Sequence, residues 1–321
     1  MAPKLLPRCK FKRLSVRREA VTIIAGFKTK NGIVICADTQ ETIGSVSKRN
    51  IPKLRFEPLG PRKRLALGTD LAVAFCGAAN NGPFIDKIVD RAWEAAHVES
   101  SLDGACAAIE KSIKSTYQEF GQIYQTGYCP EADLIYGIKM NTESKLFSAL
   151  GPIVNERDTY ATGGAGYYMA DFLASRMYAA HLNNYQCAIL AAYILFQAKE
   201  HVDGCGGESQ IAVLRNSGTS GMAAPDRVDR ITDLLKYGDG AAGPLIIEMA
   251  NLALSDKEFK ERAGELVDGM KAMRDFERRH NKFPHLDAYR DDCSREHATD
   301  ILGLGQPGKA PNKAKQSIFQ T

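Results

Sequence analysis

The run Thr22-Ile-Ile-Ala-Gly-Phe-Lys-Thr-Lys-Asn-Gly-Ile-Val-Ile-Cys-Ala-Asp38 sets a hydroxyl and a carboxylate at the outer ends of two apolar stretches. Lys30-Asn31-Gly32 between them is a hairpin turn signal. Folding back at that turn lays Thr22 beside Asp38. A little further on, Ile51-Pro-Lys-Leu-Arg-Phe-Glu57 alternates as a half-buried strand does and carries Lys53. A threonine hydroxyl is a weak nucleophile until a base takes its proton. If the chain is cut before Thr22, the new α-amine can act as the base for its own hydroxyl. Each residue also has a plainer account. Threonine is common in strands for packing alone, an aspartate after an apolar run commonly closes a strand, and a lysine on an alternating strand commonly faces water. Only the joint spacing speaks for chemistry.

Positioning these groups takes a folded core, and the chain can build one. It has 321 residues, 44% apolar and 25% charged, ordinary values for a globular protein. The net charge of +4 is small, and much of the excess sits near the ends, from Lys4 to Arg18 and from Lys309 to Lys315. A folded nucleic-acid surface needs a basic stripe across a domain, and none is visible. The eight cysteines have no short metal or redox spacing and read as reduced thiols. No apolar run reaches membrane-spanning length and no apolar signal core opens the chain. A cytoplasmic protein is expected; an organelle-targeting arm over residues 1–19 is the lesser alternative.

The apolar periods predict strands at 21–28, 32–38, 51–57 and 71–76, the last ending at Gly77. The period then changes to helical. Asn80 or Asn81 caps a first helix with Pro83 in its opening turn, and a second helix runs over about 102–125. Strands return at 132–140 and 145–151, and Thr159-Tyr-Ala-Thr runs into Gly163-Gly-Ala-Gly166. Helices at about 166–181 and 184–200 and a strand at 210–214 follow. Strands clustered before helix pairs argue against an alternating parallel sheet. Two sheets face to face, with a helix pair on each outer side, would bury every apolar face. Beyond 216 the pattern predicts short helices at 226–236 and 243–254 and a charged helix at 256–281.

Thr22, Gly32, Ala37-Asp38, Gln40, Thr42, Gly44, Asn50 and Lys53 together resemble the proteasome β-subunit and its bacterial ATP-dependent protease relative, members of the N-terminal-nucleophile hydrolases. Phe75-Cys-Gly77-Ala-Ala, Tyr160-Ala-Thr-Gly-Gly-Ala-Gly and Val202-Asp203-Gly-Cys-Gly-Gly207 follow in the family's order, so the resemblance covers about 21–215. It implies an α+β fold, a four-layer αββα sandwich of two antiparallel sheets with a helical C-terminal extension. It implies Thr22 as nucleophile, Lys53 held by Asp38 to favour the active protonation state, the Gly77 N–H as oxyanion donor and Asp203 as the residue that orients the terminal amine. The implied domains are a basic arm or propeptide at 1–20, the catalytic domain at 21–220, the helical extension at 221–302 and a disordered tail at 303–321.

The implied function is a threonine peptidase that assembles with its own copies into a ring and takes polypeptide, supplied by a separate ATP-dependent unfoldase. It needs no cofactor, metal, nucleic acid or membrane. Two other readings share the fold: a non-catalytic subunit, and an amidase acting on small amides. Val21 stands where self-cleaving members have glycine and Gly164 where they have serine; both favour the non-catalytic subunit. Intact Thr22, Asp38 and Lys53 favour a hydrolase. Gly163–Gly166 lacks the lysine and spacing of a phosphate loop. The polar cluster from His280 to His297 matches no standard metal spacing.

Overall fold

The structure is a computed structural model that describes residues 22–43, 47–60, 68–79, 82–123, 130, 132–248 and 255–280. Among these, the chain is α+β with antiparallel sheets. Strands β1 (Ile24–Thr29) and β2 (Gly32–Asp38) form the hairpin, with Ile24 opposite Ala37. They join β10 (Tyr160–Gly163), β11 (Ser209–Arg215) and β12 (Gly221–Met222) in one five-stranded sheet ordered β10-β1-β2-β11-β12. A second five-stranded sheet takes β5 (Leu54–Pro58), β6 (Leu71–Ala79), β7 (Ala132–Met140), β8 (Glu143–Leu150) and β9 (Ile153–Arg157) in chain order. A two-stranded ribbon, β3 (Gln40–Ile43) and β4 (Ser47–Asn50), links them.

Three apolar clusters hold these parts together. Ile24, Ile33, Ile35 and Ala37 of the first sheet meet Leu54, Ala74, Cys76, Ile135 and Leu146 of the second. The other face of the second sheet, with Phe75, Tyr136 and Phe147, packs on α1 (Gly82–Ala96) and α2 (Leu102–Ile123). The other face of the first sheet, with Phe27, Val34 and Ile211, packs on α3 (Tyr167–Met177) and α4 (Asn184–His201). Both hairpin strands are therefore covered on two sides. That is why β2 reads Ile-Val-Ile-Cys-Ala without a polar alternate, its seven residues all buried. A fully buried Phe or Ile contributes about 1.5–3 kcal/mol each, so this hairpin is a rigid platform.

The predicted elements recur with shifted ends. β5 begins at Leu54, because its start is taken by a side chain from β11. β6 continues past Gly77 to Ala79, because β7 pairs with it to Ala132. The ribbon β3–β4 and the edge strand β9 were not expected. The two short helices predicted at 226–236 and 243–254 are one helix, α5 (Pro225–Glu248). The Gly238–Gly240 stretch stays helical because Asp239 between the glycines accepts hydrogen bonds from Tyr193 Oη at 2.8 Å and Gln197 Nε2 at 3.1 Å. The charged helix α6 (Asp256–His280) follows. The arm at 1–20, the Asn80/Asn81 cap, the polar cluster beyond His280 and the tail at 303–321 lie outside the described residues. Among the described residues no helix is long and apolar enough to cross a membrane.

Candidate active site

Register builds the site. Asp38 closes β2 opposite Ser209 of β11, and its backbone N–H donates to Ile23 O at 3.3 Å, so Thr22 lies beside it. Asp38 is fully buried, and its carboxylate is surrounded by donors. Oδ1 accepts from Thr22 Oγ1 at 3.1 Å, from Lys53 Nζ at 2.9 Å and from the Ile23 N–H at 3.3 Å. Oδ2 accepts from the Gly206 N–H at 3.0 Å. A buried carboxylate with one cation and several amide and hydroxyl donors is compensated for its desolvation. Lys53 Nζ also donates to the Gln40 main-chain carbonyl, which fixes the ammonium between β2 and the ribbon.

Thr22 itself is 2% exposed. Its carbonyl accepts from the Gly166 N–H at 3.0 Å, at the start of α3. Gly164 has φ +76°, and a Cβ there would lie 2.4 Å from Thr22 O. The serine of the resembled family therefore has no room at this position in this backbone, on both dihedral and contact grounds. Asp133 of β7 fixes the same turn, its Oδ2 accepting from the Gly164 N–H at 3.0 Å.

For two of the expected residues the structure shows other contacts. The Gly77 N–H donates to Lys53 O at 3.2 Å, just ahead of β5, so in the uncut chain that N–H is already engaged. Glycine also serves packing there: a Cβ would meet Ile85 Cδ1 of α1 at 2.6 Å. Asp203 is exposed and makes no hydrogen bond to Thr22; from its loop it is the Gly206 N–H that reaches the site. The structure thus brings Thr22, Asp38 and Lys53 together, while Gly77 packs on α1 and Asp203 is exposed on its loop.

Several neighbours carried no signal in the sequence. Lys199, near the end of α4, donates to Gly207 O and to Ser209 Oγ, both at 2.7 Å, and so holds the loop that presents Gly206. Burial pushes the Lys199 ammonium below its ordinary pKa, with Asp38 acting the other way. Cys205, also beside Asp38, has its thiol pushed up to about 12, chiefly by burial and further by Asp38, against Lys53 and Lys199. A thiol held protonated is inert as a nucleophile. Lys53 N–H and Leu54 N–H both donate to Gln210 Oε1, at 2.9 and 3.1 Å. Only Gly206 and Cys205 had a hint, both lying in the glycine-rich segment before β11. Among the described residues no group of three or more His, Cys, Asp or Glu is placed to hold a metal ion.

No protein-family model matches the chain, and no curated protein does. Solved structures do. The Anbu complex from Pseudomonas aeruginosa, solved as a helical assembly, superposes with TM-score 0.57 at 11% identity over 71% of this chain and 96% of that one. Anbu from Yersinia bercovieri, described as an ancestral beta-subunit, gives 0.56 at 12% identity over 70% and 97%. Anbu from Hyphomicrobium sp. strain MC1 gives 0.53 at 14% identity over 70% and 96%. At these identities the likeness shows a fold shared with the Anbu proteins and nothing finer. It also corrects the resemblance drawn from the sequence. The similar structures are Anbu proteins, and no family model supports membership among proteasome β-subunits or the bacterial ATP-dependent protease.

Proposed function

We propose that the chain is a threonine-nucleophile hydrolase of peptide bonds, with the two sheets as the inner layers of a four-layer αββα sandwich. The observation that carries this reading is the shared oxygen: Asp38 Oδ1 accepts from both Thr22 Oγ1 and Lys53 Nζ. Cutting the bond before Thr22 frees its α-amine. The amine then takes the proton of Thr22 Oγ1 as that oxygen attacks the substrate carbonyl, and the leaving amine departs protonated. Water, deprotonated by the same α-amine, cleaves the resulting ester and restores the hydroxyl. Lys53, locked onto Asp38 and Gln40, supplies fixed positive charge beside the developing negative oxygen. Residues 1–20 are in this reading part of the segment removed. By analogy with the helical assembly of the Pseudomonas protein, the chain associates with its own copies.

A second reading, a non-catalytic subunit, draws on a specific observation: Thr22 is buried in the uncut chain, with its hydroxyl already spent on Asp38. The mass of the purified chain separates the two. A chain starting at Thr22 that is modified by a threonine-directed covalent inhibitor supports the hydrolase. A full-length chain that ignores the inhibitor sinks it. Thr22→Ala is expected to abolish both processing and hydrolysis, and hydrolysis that survives it puts the nucleophile elsewhere.

A further inference from the structure

Lys53 is the cation of the site, yet it immediately precedes β5, the edge strand of the other sheet, where the ladder has not begun. Its carbonyl still accepts from Gly77 of β6. Its N–H turns the other way, across the sheet interface, to Gln210 Oε1, and so does the N–H of Leu54. Gln210 is on β11, opposite Ala37 and one residue from the Ser209–Asp38 pair. Ala37 faces the second sheet in the core between the sheets, and cross-strand partners share a face. The Gln210 side chain is therefore a fixed-length strut. It runs from the strand beside Asp38 to the backbone that carries Lys53.

We propose that Gln210 is a positioning residue for the Asp38–Lys53 pair: it sets the place of the Lys53 backbone and hence where Nζ meets Asp38 and the threonine hydroxyl. One acceptor oxygen holding two adjacent N–H groups fixes both the position and the orientation of residues 53 and 54. The inference rests on the threonine-hydrolase reading for its effect on rate, but the strut itself stands on geometry alone.

Two substitutions separate a strut from mere packing. Gln210→Met keeps the length and removes the acceptor; Gln210→Glu keeps an acceptor oxygen at the same reach. Hydrogen–deuterium exchange on the full chain reads the strut without activity. In Gln210→Met the amides of Lys53 and Leu54 exchange at least about tenfold faster than in the wild type, while those of β7 do not change; Gln210→Glu restores protection. In hydrolysis of a fluorogenic peptide, Gln210→Met loses roughly ten- to a hundredfold in kcat with KM little altered, the size of effect that a misplacement of about 1 Å produces. Gln210→Glu recovers most of it. Unchanged exchange at residues 53 and 54 in Gln210→Met overturns the proposal, as does wild-type kcat alongside lost protection. If the wild type hydrolyses nothing and Thr22→Ala is indistinguishable from it, the hydrolase reading fails, and exchange alone still decides whether Gln210 is the strut. Should Gln210→Met not fold, Gln210→Asn, which draws the acceptor back by one methylene, gives the same comparison with Gln210→Glu.

Discussion

Asp38 joins three separated parts of the chain in one carboxylate, and its removal is the most informative change at the scale of a single residue. Asp38→Ala removes the ion pair of Lys53, whose side chain is only 11% exposed. Breaking a buried pair in this way costs about 3–5 kcal/mol, which a urea midpoint will show. Gly164→Ala is expected to cost about 2–4 kcal/mol. It forces an L side chain to φ +76° and drives a methyl into the Thr22 carbonyl. A melting temperature within a degree of the wild type would mean that the turn relaxes freely. Thr22 and Asp38 were legible in the sequence because a hairpin of known turn length fixes their register. Lys53 was legible as a spacing. Gln210 and Asp133 were not, since each acts on a partner far away in the chain, and Lys199 was not, since a lysine near a helix end looks like any other.

At the scale of elements, Gly77 shows how a glycine that suggests an oxyanion donor can serve packing. Its place lets Ile85 of α1 lie directly on β6. Gly77→Ala should destabilise by about 1–3 kcal/mol through overpacking. Adding Ile85→Ala removes the clash, so the double variant should lose less than the sum of the two single variants. Strict additivity in denaturant unfolding would show that the two positions do not touch. Buried strands such as β2 and β7 were readable from continuous apolar runs. The ribbon β3–β4 was not, because Gln-Glu-Thr-Ile and Ser-Lys-Arg-Asn have no apolar alternation. Strand β9 is mostly exposed and carries no core pattern either. The glycines of α5 imitate a break that tertiary hydrogen bonds to Asp239 prevent.

At the scale of the whole molecule, buried thiols give the fold a pH limit. Burial pushes Cys36, Cys106, Cys187 and Cys205 up to about 12. In the unfolded chain these thiols ionise from their ordinary value of about 8.5 upward. Between that value and about 12 the unfolded state therefore binds fewer protons than the folded state, so stability falls as pH rises. The full contribution is present below the ordinary thiol pKa. Melting temperature should decline steadily from pH 9 to pH 11, and Cys187→Ala should make that decline shallower; an identical slope would exclude the thiol as a cause. The sheet order β10-β1-β2-β11 was beyond sequence reading, because it pairs strands from opposite ends of the domain. What the apolar faces did dictate is that both sheets need cover on two sides.

The donors around Asp38 come from residues 22, 23, 53 and 206, and this has a consequence in time. During synthesis, Thr22, Asp38 and Lys53 emerge early, but Gly206 and β11 follow about 150 residues later. At ribosomal speeds that is a delay on the order of 10–30 s. Through that interval Asp38 lacks its Oδ2 donor, and Lys53 lacks the glutamine that holds its backbone. A half-made chain thus carries Thr22, Asp38 and Lys53 without the geometry that joins them, and in the hydrolase reading chemistry at Thr22 waits for translation to pass β11.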